Sequence, residues 1–255
     1  MSSSNPSITT FAPERDRTAD PGASPAVLCF PHAGGSASFF RPWAGLLPAS
    51  RVHAVQYPGR EERIADEAPE SLVELAGLVA EEILAGPRRY SLLFGHSMGA
   101  YVAFEVARLL ESAGEPVPGV IVSSAAAPGL RAPVPYEDSA DVRAYLERYE
   151  PLSPEISGDE ELLELILDYS KSDLRLVAQY TGFAGKRIGA RLTAVVGDDD
   201  VPEIRSGFST WRQHTDGAFV PVVVPGGHFY LRGDPPVALI DAELARSAAV
   251  TGASS

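Results

Sequence analysis

Ser91-Leu92-Leu93-Phe94-Gly95-His96-Ser97-Met98-Gly99 joins a short apolar run to a stretch in which Met98, Val102, Val106, Leu109 and Leu110 recur at helical spacing until Gly114. A serine between two glycines at a strand-to-helix junction is a nucleophile elbow. The chain turns so sharply that the serine oxygen stands clear at the top of a sheet, and the glycines remove side chains that would collide there. The pentapeptide alone is only a Gly/Ser turn. Its flanks point to a nucleophilic serine on a strand end.

The same alternation extends in both directions along the chain. Short apolar, β-branched runs near 26–30, 51–56, 90–94, 118–123, 191–196 and 219–224 read as strands. Helical spacing covers 70–85, with Leu72, Leu75, Val79 and Ile83, and also 202–214 and 235–248. Strands alternating with helices predict an α/β fold with a mostly parallel central sheet flanked by helices. From about 125 to 190 the alternation stops. Asp138 to Tyr149 and Asp159 to Tyr169 read instead as helices with polar starts, an insertion expected to lie as a lid over the carboxyl edge of the sheet. Residues 1–24 read as a flexible N-terminal tail, and 25–250 as a single domain carrying the lid.

Composition narrows the partners. A formal charge of −13 leaves no basic surplus for a nucleic-acid face or for attraction to an anionic membrane. Cys29 is the single cysteine, so no intrachain disulfide can hold the fold. No apolar run reaches the length of a membrane span, and residues 1–24 lack the apolar stretch of a signal peptide. A cytoplasmic location is the expectation.

A serine hydroxyl needs a base to take its proton, and the base needs an acid to fix its tautomer. Of the five histidines, His96 lies in the elbow, His32 in an early loop, His53 in a strand pattern and His214 at a helix end. His228 follows the last strand in the turn Pro225-Gly226-Gly227, on the sheet edge that bears Ser97, and is the candidate base. The acid falls between serine and histidine in this chain order, which selects Asp198-Asp199-Asp200 after the fifth strand without choosing among them. The oxyanion formed on attack calls for the amide of Met98 and a second from the loop Pro31-His32-Ala33-Gly34-Gly35-Ser36. That loop lacks the lysine and spacing of a phosphate-binding P-loop.

With these pieces together the chain resembles the type II thioesterases of polyketide and nonribosomal-peptide assembly lines, within the α/β-hydrolase superfamily. The resemblance rests on Phe30-Pro31-His32-Ala33-Gly34-Gly35-Ser36, Gln56-Tyr57-Pro58-Gly59-Arg60-Glu61-Glu62-Arg63, Phe94 to Ala100, and Pro225-Gly226-Gly227-His228-Phe229-Tyr230-Leu231, and covers residues 25–245. It implies an α/β-hydrolase fold with a helical lid, Ser97 as nucleophile, His228 as base, Asp200 as acid, and Met98 and Ala33 as oxyanion-hole donors. In the family a proline often follows that aspartate directly. Here Val201 stands between Asp200 and Pro202.

The resemblance further implies hydrolysis of acyl groups from the phosphopantetheine arm of acyl or peptidyl carrier proteins, with no metal and no dissociable cofactor. Carriers are acidic and so is this chain, so a local positive spot is expected from Arg41, Arg60, Arg63, Arg131 and Arg175. A free-standing carboxylesterase or lipase with the same triad is the alternative, and a silent scaffold used for binding is a third. The His-Ala-Gly-Gly loop and the Gln-Tyr-Pro-Gly-Arg segment favour the thioesterase.

Overall fold

Alternation with period two organises the core. In β2 (Ala26–Phe30) Val27 and Cys29 face one apolar cluster while Leu28 and Phe30 face another, and β4 (Leu92–His96) and β5 (Gly119–Ser123) divide in the same way. All three strands are buried along their whole length, as expected where a parallel sheet is covered on both faces. The structure is a computed structural model describing residues 7–11, 25–128, 138–181 and 183–252.

The sheet is completed by β1 (Ile8–Phe11), β3 (Arg51–Val55), β6 (Arg191–Gly197) and β7 (Phe219–Val224), in the order β1-β3-β2-β4-β5-β6-β7. Among the described residues, only the β1–β3 pair is antiparallel. The helices are α1 (Trp43–Leu46), α2 (Leu72–Ala85), α3 (Met98–Ser112), α4 (Ser139–Tyr149), α5 (Pro154–Ser157), α6 (Glu160–Gln179), α7 (Pro202–Gly207), α8 (Tyr230–Gly233) and α9 (Val237–Gly252). On one face α2 and α3 pack Leu75, Val79, Val102 and Val106 against Leu28, Leu93 and Val120. On the other, Phe40, Trp43, Ile240 and Leu244 cover Val27, Phe94 and Ile121. Phe94 is fully buried in an edge-to-face contact with Trp43, so Phe94→Ala is expected to cost about 3–5 kcal/mol.

Several boundaries differ from the sequence reading, and each has a local cause. The strand expected at 90–94 runs from Leu92 to His96, because its partners are Val27–Phe30 on one side and Gly119–Ser123 on the other; Ser97 therefore follows the strand directly. The helix expected over 202–214 is α7 followed by a 3-10 segment, Phe208–His214. The helix expected to end at Tyr169 continues to Gln179.

The expected N-terminal tail is corrected at residues 7–11; its remaining residues, 1–6 and 12–24, lie outside the described residues. Ile8–Phe11 pairs with Val52–Val55, and the amides of Ser7 and Ile8 donate to the Glu82 carboxylate on α2 at 2.7 and 3.2 Å. Four residues give too little alternation to register as a strand in sequence. The sheet edge and a helix carboxylate supply their hydrogen-bond partners.

Between β5 and β6 lie α4, α5 and α6. Asp138, Ser153 and Asp159 cap them, each accepting from an amide three residues on. Leu167, Leu174 and Leu176 of α6 are buried, whereas Leu162 and Leu165 near its start are exposed. Among the described residues, no helix is long and apolar enough to cross a membrane.

Candidate active site

Ser97 caps α3 directly after β4 with φ 54° and ψ −116°, left-handed backbone that an L-residue adopts only under constraint. The constraint is visible. Its amide donates to the Ser123 carbonyl at 2.8 Å, and the chain on either side is packed so tightly that only glycine fits. A Cβ on Gly95 would stand 2.1 Å from the Gly99 carbonyl oxygen, and one on Gly99 2.0 Å from that of Phe30. The glycine spacing of the motif is thus a packing requirement of the elbow.

Ala33, Ser97 and Met98 line one small cavity together with Tyr145 of α4 and Leu174 and Val177 of α6. The residues expected to hold the oxyanion and the expected nucleophile therefore meet. Met98 opens a fifteen-residue helix, so its amide is among those with no acceptor inside the helix and stands at the positive end of the helix dipole. The cavity volume is about 10 Å³, room for a single water.

His228 leaves the turn after β7 with Nδ1 3.1 Å from Asp200 Oδ1 and 3.2 Å from Oδ2, and both side chains are buried. Of the three adjacent aspartates only Asp200 is buried. Asp198 is exposed and accepts the Gly226 amide at 2.8 Å, and Asp199 is exposed too. Asp200 Oδ1 also accepts the Val201 amide at 2.7 Å, so the residue inserted before Pro202 helps to hold the carboxylate. The His228 ring lies 5.1 Å from that of His96, which precedes Ser97.

Histidines that sequence reasoning set aside also gather here. His32 lies 6.0 Å from His96, ring to ring, and His96 Nδ1 meets Ser123 Oγ at 2.9 Å, which in turn meets Tyr230 Oη at 2.8 Å. Burial holds both imidazoles neutral, His32 down to about 3 and His96 well below its ordinary value, with Arg232 and His228 adding to the effect. His53 and His214 sit elsewhere, against Tyr90 and the Lys186 carbonyl.

Tyr149, at the end of α4, was not singled out in the sequence, yet its ring is 4.1 Å from that of His228. No sequence signal marks it apart from its place at the end of a helical pattern.

The arginine cluster is corrected. Arg60 is 4% exposed and paired bidentately with Asp173 of α6 at 2.7 and 2.8 Å. Arg63 is buried against Asp66 and the Gln56 carbonyl. Both guanidiniums find their donors' partners inside the protein, so neither offers charge at the surface. Arg41 and Arg175 are exposed, and Arg131 lies outside the described residues. Among the described residues, no group of three or more His, Cys, Asp or Glu side chains is arranged to hold a metal ion.

A mostly parallel sheet, a serine elbow after its central strand and a buried His–Asp pair beyond its later strands define an α/β hydrolase. The sequence pattern of the thioesterase domain family matches residues 25–244, and the chain belongs to that family. It is 38% identical over 208 residues to the "Probable cadicidin biosynthesis thioesterase" of Streptomyces griseus, covering 80% of this chain and 58% of that protein. In structure it is similar to the type II thioesterase BorB from the borrelidin biosynthetic cluster, with a TM-score of 0.80, 35% identity, and coverage of 93% of this chain and 97% of BorB. It is similar as well to YbtT, a type II thioesterase from the yersiniabactin pathway, with a TM-score of 0.83, 30% identity, and coverage of 95% and 99%.

Proposed function

We propose that this protein hydrolyses acyl thioesters through an acyl-serine intermediate, with Ser97 as nucleophile, His228 as base and Asp200 as the acid behind it. The observation that carries this reading is the buried His228–Asp200 pair, packed against the elbow through His96. Asp200 accepts from Nδ1 and so fixes the tautomer in which Nε2 is free to take the Ser97 proton.

Attack by Ser97 Oγ on the thioester carbonyl forms a tetrahedral oxyanion held by the amides of Met98 and Ala33. Collapse breaks the C–S bond, and the departing thiolate takes the proton from His228 and leaves as the thiol. Water, deprotonated by His228, then attacks the acyl-serine; the second tetrahedral intermediate releases the carboxylic acid and returns the proton to Ser97. No step calls on a metal or a dissociable cofactor.

The substrate in this reading is an acyl chain on the phosphopantetheine arm of a carrier protein in a polyketide or nonribosomal-peptide pathway, and the role is the removal of stalled chains, in the cytoplasm. Its support is the resemblance to BorB and YbtT along nearly their whole length. The segment from α4 to α6 serves as the lid of a single domain spanning 25–250. Comparing kcat/KM for an acyl group on a carrier, on a minimal thiol and as a nitrophenyl ester tests the assignment. A carrier preference of tenfold or more is expected. Turnover of the nitrophenyl ester alone would assign the protein to the carboxylesterases instead.

A further inference from the structure

Asp173 is a carboxylate on the buried face of α6, which it shares with Leu167, Ser170, Leu174 and Leu176, and it is 3% exposed. A buried charge needs a strong local reason. Its partners supply one. Oδ2 accepts from the Gly34 amide at 2.8 Å and from Arg60 Nη1 at 2.7 Å, Oδ1 accepts from Arg60 Nη2 at 2.8 Å, and the same Nη1 donates to the Gly35 carbonyl at 2.9 Å. The pair thus grips the loop after β2 by one amide and one carbonyl, in the two residues that follow Ala33.

Other contacts aim the pair at the same place. Gly34 has φ +77°, and a Cβ there would meet Ser170 Oγ at 2.4 Å, so α6 lies directly on the loop. Arg60 is held in turn by the Pro58 carbonyl and by the rings of Tyr57 and Tyr169, at 5.4 and 4.8 Å. A buried ion pair seldom adds stability over an apolar pair of like volume, so its use is better sought in what it orients. Here that is the peptide joining Ala33 to Gly34.

We propose that Arg60 and Asp173 are positioning residues for the oxyanion hole: by fixing the Ala33–Gly34 peptide they aim the Ala33 amide at the site where charge develops. This rests on the reading of Ser97 as nucleophile and Ala33 as oxyanion donor. Neither side chain touches the substrate. Each acts through the loop, and because Asp173 belongs to α6, the helix that contributes Leu174 and Val177 to the cavity, the hole is complete only when α6 is seated.

The test compares two double variants that leave no orphaned charge. Arg60→Met with Asp173→Leu removes the acceptor for the Gly34 amide, whereas Arg60→Met with Asp173→Asn keeps an uncharged acceptor. The first is expected to lower kcat about 30- to 100-fold, the order of loss caused by misplaced catalytic geometry. KM should stay within about threefold, and Ki for an alkyl boronic acid, whose serine adduct carries the tetrahedral oxyanion, should rise in step with kcat loss. The second should recover at least tenfold of that loss. A loosened lid alone would move KM and leave boronate affinity relative to substrate unchanged, and that result would overturn the proposal.

If the leucine variant fails to fold, Arg60→Lys serves. It keeps both charges compensated but loses the planar fork, and kcat with boronate affinity should fall together by about three- to tenfold. Wild-type values for both would overturn the proposal. Failure of the underlying reading looks different, because Ser97→Ala would then retain turnover, and the proposal would fall with it.

Discussion

The ring of Tyr149 lies 4.1 Å from that of His228 and tilted by 35°, so the end of α4 covers the imidazole that Asp200 orients. Tyr145, one turn earlier, packs on Tyr149 at 5.0 Å and lines the cavity at Ser97. The two residues after and before Tyr149 in the chain are tied down as well, Glu150 to Arg232 at 3.1 Å and Arg148 to Glu203 at 2.8 Å, both at the exposed surface. Tyr145 of α4 thus forms part of the wall of the cavity at Ser97, and Tyr149 stands over the imidazole beside it.

Removing the Tyr149 ring should therefore ease entry. An aromatic contact of this kind is worth about 0.5–1.5 kcal/mol, which corresponds to roughly two- to tenfold in rate. Tyr149→Ala is expected to be labelled by a small fluorophosphonate about two- to tenfold faster than wild type, while Tyr149→Phe, which keeps the ring, stays close to wild type. Equal labelling of all three proteins would show that the ring does not limit access.

For the triad, Ser97→Ala is expected to abolish thioester hydrolysis with the fold intact, and His228→Ala to cost as much, since the members act as a unit. Asp200→Asn should lower kcat by about 10⁴-fold, because the wrong tautomer is then held at His228. Asp198→Asn should change it by less than about tenfold, since the exposed Asp198 carboxylate accepts the Gly226 amide in the turn, a bond that asparagine keeps. Steady-state kinetics with circular dichroism as a control for folding decides. A larger loss at Asp198 would move the acid to that position.

Two glycines separate packing from propensity. On Gly99 a Cβ meets backbone atoms of Phe30 and Pro31 that cannot swing aside, so Gly99→Ala is expected to destabilise by about 3 kcal/mol or more. Gly77, within α2, has nothing within 4 Å of the same position. Gly77→Ala should stabilise by about 0.5–1 kcal/mol through helix propensity. Urea denaturation of both variants checks this, and a destabilised Gly77→Ala would mean that α2 tolerates no added side chain there.

Acid should weaken the fold below about pH 6.5, where buried histidines cannot accept the protons that unfolded ones take up. Burial lowers His32 to about 3 and His53 to about 4, and it lowers His96 well below the ordinary range. Above pH 6.5 all three are neutral in both states and contribute no slope. Below it the unfolded chain binds more protons, so stability falls with pH by about 1.4 kcal/mol per unit for each histidine, down to about pH 4 for His53 and about pH 3 for His32. His53→Gln should flatten the slope between pH 6 and 4 by about 1.4 kcal/mol per unit in urea titrations. An unchanged slope would show that His53 titrates normally in the folded protein.

Six of the seven strands, the elbow at Ser97 and the place of the inserted helices were legible in the sequence, because each is written in local pattern: β-branched runs, helical spacing, glycines where backbone must approach backbone. The chain order of serine, acid and histidine narrowed the acid to three neighbours and no further. Only the tertiary structure buried Asp200 against His228 and left Asp198 and Asp199 in solvent, because which carboxylate of an acidic turn faces inward depends on packing across the sheet edge. Strand β1 escaped notice because its hydrogen bonds come from β3 and Glu82, more than forty residues away. Arg60 read as surface charge for the same reason. Its partner, Asp173, is 113 residues distant in the chain, and nothing local to either announces that folding will bring them within 2.7 Å. Local pattern fixes which segments become strands and helices; the pairing of charges and the covering of His228 by Tyr149 arise only when distant segments meet and exclude water.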